Sequence, residues 1–389
     1  MNHIASKIII VQRIFPTYQK PIFDAIYNEI DFTLLHSTDR SGIKQSLSPY
    51  AAEITKWQFG KGDTQLFLNV FGYIKKNKPK VVIHELAVGI LSLPLVLLVK
   101  KISGYKLILW GHSYNRKIGF DARKNLSDKY RLWLHRRADA IITYSNSEKE
   151  ELIKNKIDGN KVFPALNTLD TNKYLPIRNR FERIGKNNIK RELGFKQQFN
   201  LVFIGRLYED KWPHYAIDVL DILVKERYIP IGLHFVGSGK IEKSLVEYSK
   251  RKEIQNNIFF HGEVYDDEET GHLLFASDMM IMPGCVGLSV NHAFCFDCPV
   301  ITFESKNLIP AHGPEIEYII DGQTGFIAKH RNIEDMAETI FKYLNDHSLR
   351  EKMKIQIRNM IENICPVEKL VAGVINAINY VQKNDLNGI

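Results

Sequence analysis

Phe203-Ile-Gly-Arg-Leu-Tyr-Glu-Asp-Lys-Trp212 reads as the end of a β-strand, a glycine turn and the approach to a helix. The apolar run 201–205 is strand-like. Pro213 suits a first helical turn, where its missing N–H costs nothing, and residues 213–226 carry a helical pattern. A strand, a turn and a helix make half of a βαβ unit, and the unit recurs in both directions. Downstream, strand-like runs fall at 232–237, 258–260, 279–282, 300–303 and 325–328, with helical patterns at 240–251 and 334–344. Upstream they fall at 7–11, 32–35, 81–83, 106–110 and 140–144. Strands alternating with helices of this length predict parallel sheets. Eleven strands exceed one ordinary open sheet, and the polar, basic stretch 172–200 divides them as a linker. The pattern predicts an α/β protein of two doubly wound Rossmann-like domains facing a cleft. Ligands of such folds sit at the carboxyl ends of the strands.

The composition fits that class. The chain has 389 residues, 44% hydrophobic and 25% charged, which excludes a collagenous, rod-like or mostly disordered protein. Four Cys exclude a disulfide-stapled scaffold. The apolar run after Lys7 is too short for a signal sequence and reads as a first strand. The longest apolar stretch, 86–99, is shorter than a membrane span and predicts a buried helix, hence a cytoplasmic protein. The net charge of +9 is uneven: residues 1–180 hold 29 Lys and Arg against 15 Asp and Glu, and the rest hold 24 against 29. A basic first half suits an anionic substrate, an anionic membrane or plain solubility. No zinc-finger spacing or RNA-binding signature appears, so nucleic acid is not expected.

Three segments of the second half suit an anion. In the first, Gly205 permits close backbone approach, Arg206 can fork two phosphate oxygens and Lys211 adds a point charge. The second, Phe235-Val-Gly-Ser-Gly239, runs a strand into a glycine turn at Gly237. The third, Met282-Pro-Gly-Cys-Val-Gly-Leu-Ser-Val-Asn-His-Ala293, places Gly287, Leu288 and Ser289 at a helix start, where free amides bind phosphate or a sugar hydroxyl. Each segment alone is equally a solvated turn.

Taken in order, these segments resemble the donor-binding domain of family-4 glycosyltransferases. They are joined by Phe260-x-Gly-x-Val264, Pro299-Val-Ile301 and Glu317-x3-Asp-Gly-x-x-Gly325. The resemblance is close over 197–345. It reaches the first half more weakly, through Arg137-Ala-Asp-Ala-Ile-Ile-Thr-Tyr-Ser145 and Lys161-Val-Phe-Pro-Ala-Leu-Asn-Thr-Leu-Asp170, where Asn167 and Asp170 fit a family motif. It implies a GT-B fold and transfer of a sugar from a UDP- or GDP-sugar to a glycan acceptor, retaining in most members. It also implies roles for residues. Arg206 and Lys211 neutralise the donor diphosphate, and Gly205 and Gly237 let the backbone approach. The stretch 262–265, including Val264, faces the base. Gly287, Leu288 and Ser289 cradle sugar and phosphate, and Glu317 belongs to the same donor site. His112, two residues past a strand, stands where members carry a catalytic His near the donor sugar. Arg13 and Lys20 follow the first strand and are acceptor-side candidates.

The chain departs from the family at two positions. Members carry two Glu eight residues apart around the Gly-Leu turn; here those positions are Gly284 and His292. Gly284 is expected to leave open space, and His292 to meet the ribose with one hydrogen bond. The missing carboxylates keep two alternatives open: a non-catalytic GT-B protein that binds a nucleotide sugar or a partner, and a GT-B sugar-nucleotide epimerase. No Asp-x-Asp clamp or metal-ligand spacing appears, and Cys295-x-x-Cys298 lacks a second pair, so neither metal nor other cofactor is expected. The basic stretch 121–137 is either an ordinary packing helix or a peripheral contact with an anionic membrane near a lipid-linked acceptor. The expected organisation is an acceptor-side domain at 1–175, a nucleotide-sugar domain at 176–365, and a C-terminal helix at 366–389 packing back on the first domain.

Overall fold

A computed structural model describes residues 7–38, 45–59 and 65–386. It divides into two compact units, residues 1–167 with 367–389, and residues 168–366. In the first unit the strands are β1 (Ile8–Val11), β2 (Thr33–His36), β3 (Ala51–Glu53), an antiparallel pair β4 (Lys56–Phe59) and β5 (Gln65–Leu68), then β6 (Val81–Glu85), β7 (Lys106–Trp110), β8 (Ala140–Thr143) and β9 (Val162–Pro164). Its main sheet has the order β3-β2-β1-β6-β7-β8-β9, every pair parallel. The reason is visible in β1, four consecutive β-branched residues that are all buried, because both faces of a parallel sheet are covered. Ile8 and Ile10 face one core with Leu370, Val374 and Ile378 of the C-terminal helix. Ile9 and Val11 face the other with Ile74, Val96 and Leu97. The C-terminal helix Val367–Leu386 thus completes the first unit's core. Gly373 lets it close on the sheet, since a Cβ there would stand 2.4 Å from the Pro164 carbonyl oxygen.

The second unit has β10 (Phe199–Ile204), β11 (Ile231–Val236), β12 (Ile258–Phe260), β13 (Met279–Ile281), β14 (Val300–Phe303) and β15 (Gly325–Ala328). Their order, β12-β11-β10-β13-β14-β15, is the doubly wound order 3-2-1-4-5-6.

Three expectations need correction. The boundary lies at 167/168, not 175, because residues 172–200 are no linker. They begin with helices Thr171–Ile184 and Lys186–Glu192, which bury Tyr174, Phe181 and Ile189 in the second unit. Phe181 packs on Phe275 and Phe296. The apolar stretch 86–99 is not one buried helix. Residues 86–92 are irregular, the helix is Leu93–Ser103, and it leaves Leu95, Leu98 and Ile102 exposed. Helix Leu126–Arg137 buries Leu132, Leu134 and His135 and leaves Leu126 exposed.

Candidate functional site

In the second unit the strand order reverses between β10 and β13, and their carboxyl ends release two loops, 205–212 and 282–288. Such a reversal opens a crevice in which ligands of doubly wound sheets bind. Here the two loops clasp each other through backbone. The Gly284 amide donates to the Lys211 carbonyl at 3.0 Å, and the Cys285 amide to the Asp210 carbonyl at 3.2 Å. Lys211 Nζ returns a bond to the Cys285 carbonyl at 2.5 Å. Position 284, expected to be open, is filled by its neighbour. A Cβ there would stand 2.4 Å from both the Asp210 carbonyl oxygen and the Lys211 carbonyl carbon. Backbone therefore occupies the space that a side chain at 284 would need.

The turn after β11 locks onto the same clasp. Gly237, at φ +130°, donates its amide to the Gly262 carbonyl at 2.6 Å, and a Cβ there would meet the Gly205 carbonyl oxygen at 2.2 Å. The turns after β10, β11 and β12 are thereby fixed to one another. Val264 follows in the partly exposed segment 261–266.

Cations and amides occupy this end of the sheet. Arg206 is exposed, its guanidinium 5.1 Å from the centre of the Tyr208 ring, and makes no ion pair among the described residues. Lys211 is more enclosed, and burial holds its pKa below the usual lysine value. Helix Ser289–Cys295 starts from the second loop. Its ladder opens with the Val290 amide on the Gly287 carbonyl at 2.9 Å, so the amides of Gly287, Leu288 and Ser289 precede the ladder. Nothing lies within 4 Å of a Cβ built on Gly287. The 3-10 helix Pro314–Tyr318 carries Glu315, which is buried, and Glu317, which is partly exposed.

One supporting residue has no counterpart among the sequence-derived candidates. Buried His312 bonds the Phe303 carbonyl through Nε2 at 2.9 Å and takes the Val286 amide on Nδ1 at 3.4 Å. It ties the second loop to β14. No local pattern marks it.

His292 was expected to meet a ribose. Its ring instead packs 4.7 Å from Tyr174 and 5.6 Å from Phe296. Its Nε2 is buried without a partner, and burial lowers its pKa to about 4. Asn291 beside it is buried and donates to Thr168 at 3.3 Å.

The first unit gathers its polar groups at the carboxyl ends of β1, β6, β7 and β8. Arg13 clasps Glu85 twice, through its amide at 2.7 Å and Nε at 2.5 Å. Lys20 begins helix Lys20–Glu29 and pairs with Asp24 at 2.6 Å. His112 Nδ1 bonds Glu148 Oε1 at 2.9 Å, and Arg116 Nη2 reaches the same oxygen at 3.3 Å. Glu148 Oε2 accepts the Tyr144 amide at 3.0 Å, while Ser145 accepts the Glu148 amide at 3.3 Å. Glu148 is fully buried and His112 about half exposed. The signal for Glu148 was present in Ser145-x-x-Glu148, a helix-capping pattern directly after a strand.

Two Rossmann-like domains of parallel strands, the second built around a glycine-lined clasp, define a GT-B fold. Residues 185–360, most of the second unit, match the family model for Glycosyl transferases group 1. It is 27% identical over 237 residues to a capsular polysaccharide biosynthesis glycosyltransferase, CapM, of Staphylococcus aureus, covering 58% of this chain and 57% of that one. It is 24% identical over 250 residues to a poly(ribitol-phosphate) alpha-N-acetylglucosaminyltransferase of Staphylococcus aureus strain COL, covering 63% and 49%. The chain thus spans about half the length of these curated relatives. Among solved structures, HepE of Anabaena in complex with UDP superposes with a TM-score of 0.70 at 15% identity, over 96% of this chain and 99% of that one.

Proposed function

We propose that the chain transfers a hexose-type sugar from a UDP- or GDP-sugar to a glycan acceptor, in the cytoplasm, as a step of surface polysaccharide assembly. The observation that carries this is the clasp between loops 205–212 and 282–288, which holds Lys211 on the Cys285 carbonyl at the switch point of the second sheet, two residues before Gly287. Arg206 and Lys211 would neutralise the donor diphosphate and stabilise the leaving nucleotide as its charge grows. The amides of Gly287, Leu288 and Ser289 would hold the sugar and a phosphate, with Gly205, Gly237, Val264 and Glu317 lining the donor. Protein cations in that role leave no need for a metal. His112, oriented by Glu148, is assigned to the sugar or a phosphate oxygen. Arg13 and Lys20 are assigned to the acceptor side.

Net retention is part of the reading. One relative is named an alpha-transferase, and an α product from an α-linked nucleotide sugar preserves the configuration. The acceptor is read as a glycan on a lipid carrier, approached by peripheral contact with an anionic membrane.

The test is nucleotide release from a panel of UDP- and GDP-sugars, with and without a glycan acceptor, in buffer and in excess EDTA. Acceptor-dependent release that persists in EDTA is expected. Conversion of the donor sugar without release would identify an epimerase. Binding without either would identify a non-catalytic protein.

A further inference from the structure

Helix Leu93–Ser103 presents an apolar row on the surface of the first unit. Its sequence, Leu-Pro-Leu-Val-Leu-Leu-Val-Lys-Lys-Ile-Ser, buries Leu93, Val96 and Leu97 and leaves the opposite side to solvent. Leu95, Leu98 and Ile102 are 43%, 55% and 80% exposed. Their spacing of three and four residues puts them in one stripe, and exposed Leu91 precedes it. Single exposed leucines need no explanation, but a continuous row does. Beside it, Val99 and Ser103 form a shallow groove of about 500 Å³ with Phe71, Ile74, Lys75 and Lys78.

The charge around this row is of one sign. Residues 70–104 contain six Lys and a single acid, Glu85, which Arg13 clasps in the site described above. Lys100 pairs with Asp139. Lys75, Lys76, Lys78 and Lys101 are exposed and make no ion pair among the described residues.

We infer that this face seats on an anionic lipid bilayer, the leucine row entering the headgroup–acyl boundary and the lysines meeting lipid phosphates. An apolar stripe flanked by lysines is the pattern an interfacial helix uses, and each surface cation adds attraction to an anionic leaflet. A second copy of the chain fits poorly, because a two-fold contact through this face would bring like charges together. The proposed membrane surface is this helix and the groove beside it. The inference rests on the membrane clause of the proposed function, and vesicle binding is measured without any sugar donor, so either can fail alone.

The test is flotation of the full chain with vesicles of phosphatidylcholine, or of phosphatidylcholine with phosphatidylglycerol. The wild type should float with the anionic vesicles only, and salt should release it. Leu95→Ser/Leu98→Ser/Ile102→Ser and Lys75→Glu/Lys78→Glu/Lys101→Glu should each weaken binding about tenfold or more. All six side chains lie at the surface, so circular dichroism and nucleotide release to a soluble acceptor should stay at wild-type level. No flotation of the wild type, or undiminished flotation of the leucine variant, overturns the inference. So does a wild-type dimer that the leucine variant dissolves, since the row would then face another copy.

Discussion

Glu148 holds His112 by one ring nitrogen, Nδ1. Its Oε1 bonds Nδ1 at 2.9 Å, while the Tyr144 amide fixes its second oxygen at 3.0 Å. The carboxylate is buried and the imidazole half exposed, so Glu148 orients His112 without itself being reachable. If His112 serves the donor sugar, Glu148→Ala should lower kcat about 10–100-fold, the scale on which a misplaced group costs rate. Nucleotide affinity should barely change. Glu148→Gln keeps an oxygen for Nδ1–H and should recover part of kcat. Steady-state kinetics of both variants, with melting curves as a control, decides it. Equal loss of kcat and of thermal stability in the two would make the residue structural.

Gly284 is held without a side chain by the backbone packed against it. Adding any side chain forces the 284 turn away from Asp210 and Lys211. Gly284→Ala should destabilise the protein by about 1–3 kcal/mol, the usual cost of overpacking. Gly284→Glu should not restore a sugar contact. It should weaken donor binding by opening the clasp. A melting curve and donor titration of each variant check this, and tighter donor binding in Gly284→Glu would contradict it.

Arg206 and Lys211 separate affinity from architecture. Arg206 stands out in solvent, so Arg206→Ala should leave stability alone and cut donor affinity about 10–100-fold, as expected for one charged contact at about 1.5–3 kcal/mol. Lys211→Ala removes a cation and also the bond to the Cys285 carbonyl, so it should lose stability as well. Calorimetric donor titration and melting curves separate the two.

Lys211 adds a pH signature. Burial lowers its pKa, so it gives up its proton at a lower pH than an ordinary lysine does. In the proposed site, donor affinity should therefore fall on the alkaline side earlier than for an ordinary lysine. Lys211→Arg should remove that limb, because a guanidinium stays charged. A pH series of donor dissociation constants checks both statements, and an unshifted alkaline limb in Lys211→Arg would place the titration elsewhere.

What the sequence disclosed follows from where information is local. The apolar runs of β1, β10 and β11 and the glycines at 205 and 237 are read from adjacent residues, and they carry the two-sheet fold. Ala51–Glu53 and Val162–Pro164 escaped because three residues are too few to show a strand period. Helix Thr171–Ile184 looked like a linker because its buried face is only Thr171, Tyr174, Arg178 and Phe181 among polar neighbours. The clasp at Gly284 and the brace at His312 depend on contacts across many residues. A missing side chain and a backbone that has taken its place look identical in the sequence.

His292 is the residue whose expected role changes most. Its ring packs against Tyr174 and Phe296. Tyr174 is anchored in turn by its hydroxyl on Asp267 at 2.9 Å. A buried nitrogen with no partner costs stability, since it gives up water for nothing. His292→Phe keeps the ring and removes that nitrogen. It should therefore hold or raise the melting temperature at neutral pH and leave free-nucleotide affinity unchanged. The pH dependence gives a second reading. Burial lowers the folded pKa to about 4, while the unfolded chain protonates near the ordinary value of about 6.5. Below that value the unfolded state gains a proton that the folded state refuses, so this contribution is lost as pH falls from about 6.5 towards 4. His292→Phe should flatten that part of the stability profile in proportion to its share, because His84 and His234 are also held neutral by burial. Denaturant unfolding at pH 7 and pH 5, for wild type and variant, measures the difference. A tenfold loss of nucleotide affinity in His292→Phe, with the acid slope untouched, would return the residue to the ribose.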